Sequence, residues 1–191
     1  NDDVRGVTQA LCTNSTAVED GPVAFGSDGF GYNGVSNQLR IFTSDQRWNA
    51  NTATYVAWGW KASGAAGVSN TNGSITSTVS ANTTSGFSVV TFSASGTSPV
   101  TVGHGLGVAP KMIIGKIRNN TSNWYVYHGS ISSQDYLVLN STAAKATSSN
   151  IWDIAPTSTV FTVGNPQNGW NGGTAGSYNY VAYCFAEVAG Y

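Results

Sequence analysis

The sequence predicts an all-β fold: antiparallel β-sandwich units, jelly-roll-like, with Gly/Asn/Ser-rich turns and little helix. Three observations carry this. Charged residues make up 9% of the 191 residues while aromatics reach 12%, including 6 Trp and 9 Tyr, so the chain has a core to bury and is no disordered spacer. Leu, Glu and Lys are scarce, whereas Val, Thr, Tyr and Trp are plentiful, which favours strands over long helices. Short apolar or alternating runs recur between clusters of Gly, Asn and Ser, as short strands between tight turns require.

Taken in chain order, YVAWGWKA at 55–62 is the first aromatic strand, with Trp58 and Trp60 expected in a core. FSVVTF at 87–92 is framed by Ser85-Gly86 and Ser95-Gly96. KMIIGKIR at 111–118 puts Ile113, Gly115 and Ile117 on one face and Lys116 and Arg118 on the other. The polar turn at 119–123 then joins it to WYVYH at 124–128 as a hairpin. YLVL at 136–139, VFTV at 160–163 and YVAYCF at 180–185 complete the set. In the last of these, small Ala182, Cys184 and Ala186 alternate with large Val181, Tyr183 and Phe185. Both faces of that strand are therefore expected to be buried, which places it in the middle of a sheet.

The strands also repeat. LCTNSTA at 11–17 returns as LVLNSTA at 137–143, Trp48-Asn49 returns as Trp170-Asn171, and residues 55–62 return as YVAYCFAE at 180–187. The offsets are 126, 122 and 125 residues, in the same order, as one duplication with loop insertions gives. Residues 1–62 are then expected to be a partial β-unit, the second half of a repeat of about 125 residues. Residues 63–73, small and polar, are expected as a linker or long loop, and residues 74–191 as a complete β-sandwich unit.

A net charge of −1 without any run of Lys or Arg gives no electrostatic footprint for nucleic acid or an anionic membrane. No apolar stretch approaches the roughly 18 residues of a membrane-spanning helix, so no membrane insertion is expected. Cys12 and Cys184 correspond to Val138 and Gly59 in the other copy, so neither copy holds a paired set and two free thiols are expected. The chain begins at Asn1, as a processed or partial chain would.

GHGLGVAPKMII at 103–114, NWYVYH at 123–128 and YVAYCFAE at 180–187 together resemble a repeat domain of marine bacteriophage proteins. That repeat occurs in tail-fibre-like or virion-surface proteins, often beside concanavalin-like lectin domains, and its function is uncharacterised. DVRGVT at 3–8, FGSDGF at 25–30 and 55–62 look like the segment that precedes it. The resemblance implies a structural protein at a virion surface, outside the cell, with neighbouring virion subunits as partners. It brings no catalytic or binding residues, and it departs from the family at Gly59, where Cys is frequent.

The chemistry available is thin. Nine acids are present (Asp2, Asp3, Glu19, Asp20, Asp28, Asp45, Asp135, Asp153 and Glu187), and most sit beside turn residues, where a carboxylate bends the chain rather than catalyses. A glycosidase needs two carboxylates facing across a cleft, and nothing in the spacing suggests them. His104, set among Gly103, Gly105 and Gly107, reads as part of a tight turn, and no metal-ligand spacing or nucleophile elbow involves it or His128. No enzyme activity, cofactor or metal is expected. Trp48, Trp152 and Trp170 lie in polar, turn-rich segments. Either the repeat-equivalent Trp48 and Trp170 are plugs closing the end of each sandwich, or exposed rings flanked by Asn and Asp form a glycan site: Trp152, Asp153, Trp170 and Asn171 are the candidate sugar contacts. The expected function is a non-enzymatic structural or adhesion module of a fibre or virion-surface assembly that works by self-association. The alternative is a carbohydrate-binding module for host-surface glycans.

Overall fold

The computed structural model describes residues 11–19, 50–97, 99–164, 170, 172 and 174–189, with only the backbone of residues 30–33 and 38–41. Among the described residues there is no helix. Strands β3 (Val68–Asn70), β4 (Ser77–Asn82) and β5 (Phe87–Ser93) form one antiparallel meander. Strands β7 (Met112–Ile117), β8 (Tyr125–His128), β9 (Asp135–Val138) and β10 (Ala146–Thr147) form a second. The last strand, β12 (Asn179–Phe185), enters between them and pairs antiparallel with β5 on one side and β7 on the other. The result is one sheet of eight strands in the order β10-β9-β8-β7-β12-β5-β4-β3. Strands β6 (Val100–Gly103) and β11 (Val160–Val163) pair as a two-stranded ribbon. Strands β1 (Phe30–Asn33) and β2 (Gln38–Ile41) form another.

The protein is all-β and antiparallel, as its sequence predicts, but its layers are unequal: eight strands face a ribbon of two. The reason lies in the alternation. Tyr180, Ala182 and Cys184 of β12 share a face with Val90 and Phe92 of β5, with Ile113 and Ile117 of β7, and with Tyr127 of β8. Against that face pack Val100 and Val102 of β6 and Phe161 and Val163 of β11, closing the principal core. A fully buried side chain of this kind contributes about 1.5–3 kcal/mol. Ser77 ties the layers together, its hydroxyl donating to the Gly103 carbonyl at 2.8 Å.

The opposite face of the sheet is covered too. Phe87, Val89 and Val181 form a second cluster with Ala62, Leu11, Tyr183 and Phe185. β12 is thus buried on both sides and central, as its small/large alternation requires. Residues 11–19 cross this outer face as a strap, with Ser122 N–H donating to Thr16 C=O at 3.0 Å and Glu19 N–H to Arg118 C=O at 2.6 Å.

The repeat in the sequence recurs in the backbone. Trp152 bridges Val163 antiparallel, and Phe30 pairs Ile41 antiparallel, each residue 122 positions from its counterpart, the offset that also relates Trp48 to Trp170. Ser15 N–H donates to Cys12 C=O and Ser141 N–H to Val138 C=O; Ala17 N–H donates to the Ser15 hydroxyl and Ala143 N–H to the Ser141 hydroxyl. Two copies of the LxxNSTA string therefore fold into the same turn.

Two expectations need correction. Residues 63–73 are not a free linker: they contain β3, the edge strand paired with β4, and Ser63 N–H reaches the Ser80 hydroxyl at 3.2 Å. Residues 55–62 do not form a strand, although their copy at 180–187 contains β12. Trp58 is 76% and Trp60 58% exposed, so neither is a core residue. A strand's conformation needs partners, and among the described residues none pairs with 55–62 as β5 and β7 pair with β12.

Candidate functional site

The fold buries both rings of the proposed sugar site. Trp152 and Trp170 lie in the principal core, 2% and 0% exposed, with ring centroids 5.5 Å apart and edge-on to one another. Trp170 also meets Tyr180 at 5.2 Å, Tyr125 at 5.9 Å and Phe92 at 6.4 Å, all edge-to-face, the geometry that ring quadrupoles favour. Its six-membered ring sits over Gly115 of β7, where any Cβ would fall inside it. Rings held this way present no face to a sugar; they are the plug of the sandwich. Asp153 is half-buried and accepts from Gln134 Nε2 at 3.1 Å. Asn171 and Trp48 lie outside the described residues.

His104 is fully buried at the end of the β6 segment. Its Nε2 lies 3.2 Å from the Thr157 carbonyl, while Leu106 N–H donates to Nδ1 at 3.3 Å. That pairing fits a neutral ring protonated at Nε2. Burial lowers its pKa, and the Thr157 bond opposes only in part. The flanking Gly105 and Gly107 adopt φ of +71° and +76°, as the sequence of the turn suggests.

Of the four described carboxylates, Glu19, Asp135 and Asp153 are engaged in structure, while Glu187 is exposed. Glu19 pairs with Arg118 at 2.7 Å and ties the strap to the end of β7. Asp135 pairs with Lys145 at 2.6 Å, and the bonds from Lys145 and then Thr147 hold its pKa below the usual carboxylate range. Among the described residues no group of three or more His, Cys, Asp and Glu could hold a metal ion. Cys12 and Cys184 are free thiols on opposite faces of the sheet. Burial pushes the Cys184 thiol up to about 12. A shallow cleft of about 330 Å³ runs beside Arg118 and Asn179, lined mostly by Ser and Thr in and next to β4 and β5, with no carboxylate, His or Cys in its wall.

The chemistry of interest lies on the outer face. Lys116 of β7 is fully buried beneath the strap, its ammonium donating to Thr16 C=O at 3.2 Å and Ile117 C=O at 3.1 Å. Desolvation lowers its pKa to about 8. Trp124, 2% exposed, donates Nε1–H to Cys12 C=O at 2.9 Å and stacks with Tyr183 at 6.4 Å. Beyond the strap, Trp60 rests on Phe185 at 5.5 Å and Phe87 at 6.2 Å. Next to it Val56 is 71% exposed and Trp58 stands out from the surface. No hydrogen bond reaches Val56–Trp60 from a described residue. The sequence held the signal for this surface in the identity of 55–57 with 180–182, but read it as a buried strand.

Fold and surface together define an all-β sheet module, strapped on its outer face and carrying one bare aromatic segment. The family described as a domain of unknown function, DUF7483, matches residues 1–191, and the chain belongs to that family. No curated protein and no solved structure matches the chain.

Proposed function

We propose that the chain is a non-enzymatic structural and adhesion module that acts through β-sandwich packing and self-association. The observation that carries this is residues 56–60: a segment with the sequence of a central strand, without a strand partner among the described residues, whose Val56, Trp58 and Trp60 face solvent. Large exposed apolar groups side by side mark an interaction surface on a soluble domain. The low charge suits contact with like surfaces, since little desolvation of ions opposes it. Placement in a phage fibre or at a virion surface, with neighbouring subunits as partners, rests on the resemblance of 103–114, 123–128 and 180–187 alone. Sedimentation of the purified chain over a range of concentrations tests the reading: reversible association is expected, and a strict monomer refutes it.

A carbohydrate-binding reading is favoured by one observation, the exposed ring of Trp58, and no longer by Trp152 or Trp170. Loss of binding on a glycan array when Trp58 is changed to Ala supports it; no binding by the wild type removes it.

A further inference from the structure

We propose that residues 55–61 pair antiparallel with the same residues of a second copy of this chain, across a two-fold axis at Trp58. This rests on the self-association reading above and names its interface.

The copy of this segment in the complete unit says what it is built to do. Residues 180–182 and 55–57 are identical, and in β12 that sequence accepts an antiparallel neighbour on both edges. The alternation carries over as well. Ala57 and Gly59 stand where Ala182 and Cys184 stand, small residues on one face, and Val56, Trp58 and Trp60 replace Val181, Tyr183 and Phe185 on the other. In the complete unit the large face is covered by chain; here Val56 and Trp58 are 71% and 76% exposed, and the backbone of 56–60 has no hydrogen bond from a described residue. Backbone without hydrogen-bond partners, carrying apolar side chains of strand-forming type, is a template for pairing.

A second copy satisfies this segment in register. With the axis at Trp58, Trp58 faces Trp58, Val56 faces Trp60 and Ala57 faces Gly59, so large residues meet on one side and small ones on the other. Cross-strand aromatic pairs of this kind favour the paired state. Trp60, anchored on Phe87 and Phe185, fixes where the paired strands lie against the sheet. The exposed parts of Tyr55, Val56, Trp58 and Trp60 offer on the order of 500 Å² per copy, so a pair covers roughly 1,000 Å², the lower bound for a specific interface. Two-fold self-complementary contacts are the commonest form of assembly.

The test uses the full chain. Sedimentation velocity from about 1 to 100 µM is run on the wild type, on Ala57→Pro, which removes an N–H from the paired strand, and on Trp58→Ser, which keeps the backbone and removes the central ring. The expected result is a reversible dimer in the wild type and a dissociation constant at least about tenfold weaker in both variants, with urea midpoints unchanged when measured below the wild-type dissociation constant, where all three proteins are monomers. Association of equal strength in all three proteins overturns this interface while leaving self-association standing. A wild type that stays monomeric throughout overturns both.

Discussion

Lys116 is the most informative single residue for testing how the strap is held. Its side chain is fully buried, with two backbone carbonyls as its acceptors and no carboxylate among the partners of its ammonium. Desolvation lowers its pKa from 10.5 to about 8. The sign follows from proton counts. Between pH 8 and 10.5 the unfolded chain still holds this proton and the folded chain has released it, so stability rises with pH across that window and the gain is lost again as pH falls to 8. Full conversion of the shift is about 3 kcal/mol. The ammonium lies under a single layer of chain, where solvent still screens it, so a contribution of about 1–2 kcal/mol is expected. Replacing Lys116 by Met keeps the length of the side chain and removes the charge. Cys184 and Tyr180, whose pKa values burial raises, push the opposite way at alkaline pH in both proteins and cancel in the difference. Urea unfolding followed by Trp fluorescence from pH 7 to 10.5 gives that difference directly. The wild type should gain on Lys116→Met by about 1–2 kcal/mol over this range. A difference that does not change with pH refutes the buried, charge-penalised lysine.

Gly115→Ala puts a methyl group into the Trp170 ring and should cost about 1–3 kcal/mol in urea, while Trp170→Ala should cost about 3–5 kcal/mol. If both variants melt with the wild type, Trp170 is not a core residue. His104, with its pKa lowered by burial, contributes stability that is complete above pH 6.5 and declines as pH falls below it, because the unfolded chain takes up the proton first. The acid slope between pH 6.5 and 5 should therefore be shallower in His104→Gln. Native Cys184 should resist a maleimide and react once the chain is unfolded in urea; rapid labelling of the native thiol contradicts its burial.

Strands with a strong apolar signature were legible one by one. β5, β7, β8, β9, β11 and β12 all fall within a residue or two of the runs that predict them, and the β7–β8 hairpin forms where the polar turn at 119–123 places it. β4 was not legible, because STVSAN has one large apolar residue, Val79, and its buried Ser77 and Ser80 depend on hydroxyl partners supplied by Gly103 and Ser63. β3, β6 and β10 are short, and their pairing is decided by distant segments.

By itself the sequence determined the fold class, the central place of β12 and the recurrence of short strings at offsets of 122 to 126 residues, because each is written in local alternation or in the strings themselves. The tertiary structure alone decided that Trp152 and Trp170 are buried, since the space that receives Trp170 is made by Gly115, more than fifty residues away. It also decided that two near-identical strings differ in fate. Residues 180–185 lie between β5 and β7, which satisfy their backbone, whereas 55–60 have no such neighbours among the described residues. Strand propensity is a preference for paired surroundings, and only the three-dimensional arrangement supplies or withholds the pair.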